Sequence, residues 1–271
     1  MPDAPATLEG WYTLHAFYAV DWGRWNALAP AERDAIVGEA TRVLEAGAQP
    51  VSGHGAYFTV LSQKADLCLM HWRSNLEELR AAEVAFDRTR LRGYLVPTYS
   101  YLAVVELGTY ELMAQGAKIL ERRGPKTDEP GYEEALQEAM HELARPRLYA
   151  AVPPGRYLCF YPMSKRRGEQ VNWYDLSAKE RGEFMRGHGA IGRKYAGKVV
   201  QIIQGSVGLD DWEWGVSLFA DDPLVFKKLI YEMRFDPASS RFALFGPFYL
   251  GIRIAPGELG AALEGRAPAA R

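Results

Sequence analysis

The chain has 271 residues, of which 48% are hydrophobic and 24% charged, a composition typical of a folded soluble protein with one large or two modest domains. Its formal charge of -2 argues against nucleic acid as the main partner, because no excess positive charge is available for a phosphate backbone. Cys68 and Cys159 are far apart and predict neither a disulfide framework nor a zinc ribbon. With no signal peptide and no run of roughly 18 apolar residues, we expect a cytoplasmic protein without a membrane span.

The first half of the chain alternates between strand and helix patterns. Residues 10–20 are aromatic-rich and strand-like, and a helix is predicted from about residue 29 to 47. Residues 56–72 are typical of a hairpin, and residues 75–93 predict a helix that begins at an asparagine and ends at a glycine. Residues 100–107 predict a further strand, so the order is β-α-β-β-α-β.

The second half repeats this order. A strand over 156–163 precedes a helix over 177–195, which opens with a Ser-Ala-Lys-Glu capping box. A hairpin over 198–220, a helix over 223–235 and a strand over 242–254 complete the unit. Short matching segments recur in the two halves at a nearly constant offset, which predicts an internal duplication.

These patterns predict an α+β fold in which two ferredoxin-like β-α-β-β-α-β units form a dimeric α+β barrel within one chain, with helices outside. The units are assigned to residues 8–110 and 156–254. Residues 111–155 contain a helical segment and several prolines and are predicted to be a connector. Residues 255–271 are rich in alanine and glycine and are predicted to be a flexible tail.

Two familiar motifs are matched only in part. The segment 187–192, GHGAIG, satisfies the GxGxxG pattern of dinucleotide-binding proteins, but it follows a predicted helix rather than a strand. The segment 141–145, HELAR, begins like the zinc motif HExxH but has arginine at the second ligand position. We therefore interpret both matches as coincidental.

His188 differs from the other four histidines because glycines flank it on a predicted helix, where each glycine costs about 1 kcal/mol relative to alanine. The missing side chains leave room beside the imidazole for a large flat group, and imidazole is a common axial ligand of haem iron. Two interpretations remain open at this point: a haem ligand, or a structural histidine that is hydrogen-bonded within the protein.

Tyr161 and Lys165 form a second candidate pair. On a regular strand they would be about 13 Å apart, at about 3.3 Å per residue. Pro162 and the polar run after Met163 predict that the strand ends and turns here, with the tyrosine at a pocket mouth and the lysine nearby. The alternative is an ordinary barrel tyrosine with a solvated lysine. Arg234 near a helix end suits the helix dipole and by itself indicates no function.

Several motifs occur together and in order in a known family. The segments YPMSKRRGE, NWYDL, MRGHGAIGRKY and the run from Val199 to Asp236 closely resemble the coproheme decarboxylases of the chlorite dismutase-like superfamily. These are the peroxide-dependent haem synthases of the coproporphyrin pathway. The resemblance covers about residues 10–254 and is strongest over 156–250. It implies the two-unit barrel, a homopentamer, and a haem group bound in the carboxy-terminal unit.

The resemblance also implies residue roles. His188 resembles the proximal iron ligand, binding as neutral imidazole, and Tyr161 resembles the catalytic tyrosine whose radical takes a hydrogen atom from a propionate. Lys165 resembles the cation that binds the reacting propionate and assists proton movement. Such cations are needed because four propionates carry about four negative charges. Further propionate hydrogen bonds are implied for Arg147, Arg234 and Ser239.

Gln201 corresponds to the distal position over the iron. The chlorite-splitting branch has an arginine there and another branch of decarboxylases has a histidine, so the uncharged amide argues against chlorite chemistry. The group that deprotonates peroxide stays open, with solution pH and Lys165 as the options. Four further residues match pocket or near-pocket positions of the family: Met163, Trp173, Arg193 and Trp214. For all four, structural packing is at least as good an interpretation.

The resemblance therefore implies conversion of iron coproporphyrin III, or coproheme, to haem b by two successive decarboxylations of propionates to vinyls. Coproheme is both substrate and redox centre, hydrogen peroxide is the oxidant, and a ferrochelatase is the expected transient supplier of coproheme. The amino-terminal unit has no His-Gly pair at the equivalent helix position and is expected to be scaffolding. The alternatives are a chlorite dismutase, a haem-binding or delivery protein without chemistry, and a purely structural pentamer.

Overall fold

The strands close into a barrel and the helices pack on its outside. The computed structural model describes residues 6–266, apart from the side chains at positions 110, 111, 114 and 123. Within this range, no helix is both long and apolar enough to cross a membrane.

The amino-terminal unit has the strand order β4-β1-β3-β2 of a ferredoxin-like fold. Asn75 begins the second long helix because its side chain accepts a hydrogen bond from the Glu78 backbone N–H at 2.8 Å. The elements of this unit are β1 (Thr7–Val20), α1 (Trp22–Asn26), α2 (Pro30–Ala48), β2 (His54–Val60), β3 (Leu67–Arg73), α3 (Leu76–Asp87) and β4 (Leu95–Gly108).

The rest of the chain forms two connecting helices and the second unit. The predicted capping box is present, since Ser177 and Glu180 bond reciprocally at the start of the helix that carries His188. The elements are α4 (Thr109–Arg123), α5 (Tyr132–Leu148), β5 (Tyr157–Lys165), α6 (Ala178–Arg193), β6 (Val200–Gly205), β7 (Trp214–Ala220), α7 (Leu224–Met233), α8 (Pro237–Ser240), β8 (Ala243–Phe245), β9 (Tyr249–Ile254) and α9 (Leu259–Leu263).

Two strand pairings between the units close the barrel. The order is β7-β6-β4-β1-β3-β2-β9-β5-β8, and β7 also pairs with β5. The units meet where β4 pairs with β6 and where β2 pairs with β9, and both pairings are antiparallel. The prediction of an α+β barrel made from two ferredoxin-like units is therefore confirmed.

Alternating strand residues divide the core into an inner and an outer part. Phe17, Trp72 and Phe160 lie in the cluster inside the barrel, whereas each unit has a separate cluster between its helices and the outer face of its strands. Cys68 belongs to the inner cluster and Cys159 to the outer cluster of the second unit, and both are free thiols. The candidate site lies on the outer side of the second unit.

The predicted strand end at Pro162 is wrong, because β5 continues through Lys165. The Pro162 carbonyl accepts a hydrogen bond from Gly246, so the proline nitrogen also faces the last strand of the unit. That strand, predicted as continuous over 242–254, is interrupted between β8 and β9 at this point. The missing N–H of proline therefore leaves no ladder partner unsatisfied, and the strand tolerates it.

The connector and the tail contain more structure than expected. The connector has two helices, α4 and α5, packed against each other, and only the second corresponds to the predicted helical segment. The tail is not flexible over its first part, because α9 buries Leu259 and Leu263 in the amino-terminal outer cluster. Residues 267–271 of the predicted tail lie outside the described range.

Candidate functional site

Helix α6 leaves open space beside His188. A methyl group added at Gly187 would lie 4.0 Å from the nearest atom, Asp236 Oδ1. At Gly189 the nearest atom would be the flexible end of Arg193, at 3.3 Å. Packing within the chain therefore does not require these glycines, although they weaken the helix. The space is available for a flat group on either side of the imidazole.

A buried carboxylate fixes the orientation of His188. The imidazole Nδ1 lies 2.8 Å from Oδ2 of Asp236, whose side chain is 2% exposed. Asp236 also begins α8 and accepts a hydrogen bond from the Ser239 N–H at 3.2 Å. With Nδ1–H donating to Asp236, Nε2 carries the lone pair and makes no hydrogen bond within residues 6–266. This nitrogen is free to bind a metal.

Tyr161, Met163 and Lys165 project from the same outer face of β5, because side chains alternate along a strand. Tyr161 is 6% exposed and stacks on Phe248 with ring centroids 4.5 Å apart. Burial raises the pKa of the Tyr161 hydroxyl well above its usual value, so the phenol is protonated at neutral pH. The strand thus holds a rigid, desolvated phenol among aromatic rings.

Lys165 connects this strand to the helix layer. Its Nζ donates a hydrogen bond to the Ala238 carbonyl at 3.2 Å and lies 4.3 Å from the centre of the Trp173 ring. Burial lowers the pKa of Lys165 to about 8, although the carboxylates of Asp236 and Glu213 act in the opposite direction. Asp236 therefore acts on the charge of Lys165 and hydrogen-bonds to the His188 imidazole. Both predicted site residues thus contact α8 or the residue that begins it.

The remaining predicted residues of this unit lie around the same layer. Arg234 follows the last residue of α7, and its guanidinium lies 3.9 Å from the centre of the Phe245 ring. Its positive charge lowers the pKa of Tyr161, which opposes the larger effect of burial. Ser239 Oγ lies 3.4 Å from His188 Nδ1. Gln201 is exposed on β6 and lies on the same strand face as Ile203, which packs in the outer cluster.

Four residues have less direct relations to the site. Trp173 is buried beneath Lys165, whereas the Trp214 indole donates to Glu106 at 3.3 Å, a structural contact. Arg193 is exposed near Gly189. Arg147 is exposed on α5, which packs mainly against α4, β1 and β4, and within residues 6–266 it makes no hydrogen bond or ion pair with the other site residues. Its role stays a prediction.

The site has an excess of positive charge. Lys165, Arg193 and Arg234 form no ion pair with a carboxylate in the described part of the chain. The two buried carboxylates that act on Lys165 are engaged by other groups: Asp236 by His188, and Glu213 by Arg167 and the Lys165 backbone N–H. These cations, the free imidazole nitrogen and the open space beside it fit an iron porphyrin that carries several carboxylates.

Sequence reasoning missed Asp236. An aspartate followed by proline is typical of a helix start, which is also its local role here. Nothing in the sequence links it to a histidine 48 residues earlier. The pairing arises because α8 folds back against α6, a tertiary contact that local patterns do not encode.

The fold and the site together define an α+β barrel of two ferredoxin-like units with an oriented histidine against the outer face of the second. The sequence profile of the family described as Chlorite dismutase matches residues 33–254, and the chain belongs to this family.

Three known proteins illustrate what the chain is similar to. A coproheme decarboxylase of Staphylococcus saprophyticus is 45% identical over 255 residues, which cover 93% of this chain and 94% of that protein. The structure of a heme-binding protein from Thermus thermophilus superposes with a TM-score of 0.81 at 39% identity, covering 97% and 99% of the two chains. The structure of a chlorite dismutase variant from Candidatus Nitrospira defluvii shares the fold. It superposes with a TM-score of 0.71 at 20% identity, covering 93% of this chain and 94% of that chain.

Proposed function

We propose that this protein is a coproheme decarboxylase that uses hydrogen peroxide to convert iron coproporphyrin III to haem b. The observation that carries the proposal is that one outer face of β5 presents Tyr161 and Lys165 to the helix layer in which His188 has a free Nε2. The extensive identity to a coproheme decarboxylase supports it.

The reaction balances with one peroxide per propionate. Each propionate, one hydrogen peroxide and one proton give a vinyl group, carbon dioxide and two water molecules. The propionate loses two electrons, which reduce the O–O bond, and the β-carbon loses a hydrogen. Bound iron supplies the redox chemistry that activates peroxide. Two such cycles give haem b.

We assign the hydrogen-atom transfer to Tyr161. Its buried phenol is protonated at neutral pH, so it offers a hydroxyl hydrogen rather than a phenolate. Its hydroxyl makes no hydrogen bond within residues 6–266, and Phe248 holds the ring in place. A tyrosyl radical formed here would be kept from solvent by the surrounding aromatic side chains.

Lys165 is proposed to bind the reacting propionate and to move a proton. As a cation it attracts the carboxylate, and with a pKa of about 8 it exchanges protons near neutral pH more readily than an exposed lysine. Arg234 and Ser239 are proposed to hold other propionates from the end of α7 and from α8. Arg147 and Met163 complete the proposed set of porphyrin contacts.

His188 would hold the iron from α6, and Gln201 would contact the bound group from β6. Asp236 holds His188 in the tautomer whose Nε2 lone pair is available to bind iron. Gln201 would offer the oxidant an uncharged amide. It provides no cation to hold an anionic oxidant, which favours neutral hydrogen peroxide over chlorite.

The oligomeric state, the cellular compartment and the source of coproheme are part of the same proposal. As the family resemblance implies, we propose a homopentamer in the cytoplasm that receives coproheme from a ferrochelatase. Light scattering of the purified protein tests the pentamer.

The experiment that tests this function compares two oxidants. Coproheme-loaded protein is given hydrogen peroxide or chlorite while haem b is followed by chromatography and oxygen by an electrode. The proposal predicts haem b from peroxide and no oxygen from chlorite. Oxygen evolution without haem b would identify a chlorite dismutase, and bleaching without product would identify a haem-binding protein.

A further inference from the structure

The amino-terminal unit contains an open cleft in the position that the candidate site occupies in the second unit. The cleft lies between α2, α3 and the outer face of β3, with a volume of about 630 Å³. The candidate site likewise lies between α6, α7 and the outer face of its strands. The fold thus keeps space between helices and barrel in both units, although the sequence predicts only scaffolding for the first.

A buried guanidinium forms the floor of this cleft. Arg73, the last residue of β3, is 4% exposed. Its Nη1 donates to the carbonyls of His54 and Trp72, both at 2.8 Å, and Nη2 donates to the carbonyl of Gly47 at 3.1 Å. All three acceptors are neutral, and Arg73 forms no ion pair within residues 6–266. The charge is buried without a counterion, which is costly.

The two carboxylates that line the cleft are engaged by other groups. Glu39 accepts hydrogen bonds from Arg90, through Nε at 2.7 Å and the backbone N–H at 3.0 Å. Glu78 accepts from the hydroxyl and the backbone N–H of Ser74 at 2.8 and 3.3 Å. The Ser74 hydroxyl is the main reason that the pKa of Glu78 is lowered, and Arg73 contributes less. Neither carboxylate neutralises the guanidinium directly.

The other lining groups suit an apolar ligand with one anionic end. His71 Nδ1 is buried without a hydrogen-bond partner in the described structure. Burial lowers the pKa of His71 to about 3, so the ring is neutral and offers a hydrogen bond rather than a second charge. Arg42 is an exposed cation that also lines the cleft. The walls are apolar and consist of Val43, Leu44, Ala81, Ala82, Ala85 and Phe86.

We propose that this cleft binds a monocarboxylate with an apolar body, such as a medium-chain fatty acid anion. The carboxylate would supply the missing counterion of Arg73, and the chain would lie along the alanine face of α3. The remaining N–H groups of Arg73 are suited to a carboxylate because guanidinium and carboxylate match in geometry. One buried cation matches one anionic group, and the volume lies within the range of about 300–1,000 Å³ usual for small-molecule sites.

Octanoate is the probe that tests this proposal, and octan-1-ol is its uncharged counterpart. Calorimetric titration measures affinity, while the ¹⁵N signals of the His71 imidazole report binding in this cleft rather than at the other unit. We expect saturable octanoate binding that shifts the His71 signals. The alcohol should bind about tenfold more weakly, equivalent to about 1.4 kcal/mol.

Two variants locate the site. Ala82→Phe fills the cleft from the surface of α3 and leaves Arg73 in place, so octanoate affinity should fall about tenfold or more. Arg80→Met on the exposed side of the same helix is the matched control and should bind normally. Arg73→Met should lose the preference for octanoate over the alcohol, provided that circular dichroism shows it folded.

The proposal would be overturned by no saturable octanoate binding at millimolar concentration, by equal affinity for octan-1-ol, or by unchanged binding to the Ala82→Phe variant. Octanoate binding that leaves the His71 signals unchanged would place the ligand elsewhere and would equally contradict it.

Discussion

The two units share one topology but use their first long helix differently. Helix α2 buries Ile36, Ala40 and Leu44 against its sheet. Helix α6, all of whose residues are described, buries only Arg181. Ala40, which aligns with His188 in the duplication, is fully buried, whereas the His188 side chain is 26% exposed. The amino-terminal unit thus packs α2 tightly onto the barrel, whereas the second unit leaves α6 with few buried contacts.

This difference shows where the fold makes room for chemistry. A helix with few buried apolar contacts contributes little to stability until a ligand covers it. In the second unit, the outer cluster depends instead on α7, which buries Val225, Phe226, Leu229 and Met233. The duplicated architecture therefore holds α6 in place through its cap and neighbours, while its glycine-flanked histidine stays open.

The largest expected effect follows from removing the histidine that distinguishes α6 from α2. His188→Ala should lower the decarboxylation rate by at least about 100-fold and shift the Soret band of bound coproheme, because the iron loses its proximal nitrogen. Absorption spectra and product chromatography measure both effects. His141→Ala on the exposed face of α5 is the matched control and should behave as the parent protein. An unchanged Soret band would remove His188 as the ligand.

Tyr161→Phe should separate binding from chemistry on β5. The variant keeps the ring that stacks on Phe248, so coproheme affinity should stay within a few-fold of the parent protein. Turnover should fall by about 100-fold or more, because the hydroxyl hydrogen is lost. Stopped-flow mixing with peroxide measures the rate. Tyr157→Phe, on the same strand face, is the control, and normal turnover of Tyr161→Phe would contradict the radical role.

Lys165 should give coproheme binding a pH dependence. Since burial holds the pKa of Lys165 at about 8, the side chain loses its positive charge as the pH rises through this value. Affinity for the anionic porphyrin should therefore fall several-fold between about pH 7 and about pH 9. Lys165→Arg stays charged throughout and should flatten this change in a fluorescence-quenching titration. The same slope in both proteins would show that another group titrates.

The smallest expected effect is a change in amide hydrogen exchange, which can be compared directly between α6 and α2. Coproheme binding should slow amide hydrogen exchange in α6 by about tenfold, because the ligand covers its open face. Helix α2 is the internal control and should be unchanged, since its contacts are complete without a ligand. Hydrogen-exchange mass spectrometry resolves both helices. Equal protection of α2 and α6 would mean that the ligand acts on the whole barrel.

Strand and helix order, the duplication and the α+β barrel follow from the sequence because apolar periodicity is local and repeated. Pro162 misled the strand prediction for a tertiary reason. Its effect depends on whether the neighbouring strand needs its N–H, and that strand is interrupted there. Helix α9 was missed because its short Ala/Gly-rich segment is stabilised by the docking of Leu259 and Leu263 rather than by its own propensity.

The site was predictable in part for similar reasons. The glycine-flanked His188 and the spacing of Tyr161 and Lys165 are visible in the sequence, and the family resemblance gave them roles. Asp236 and the cleft at Arg73 were not visible, because each depends on which groups the fold leaves paired or unpaired. A buried guanidinium without a counterion has no sequence signature.

The measurement that tests the central claim most directly is mass spectrometry of the porphyrin while coproheme-loaded protein is titrated with hydrogen peroxide. The account predicts two successive losses of a carboxyl group in the parent protein, ending at haem b, and no loss in Tyr161→Phe. Bound coproheme that keeps all four propionates, or is bleached without a decarboxylated product, would contradict it. The site would then bind a porphyrin without transforming it.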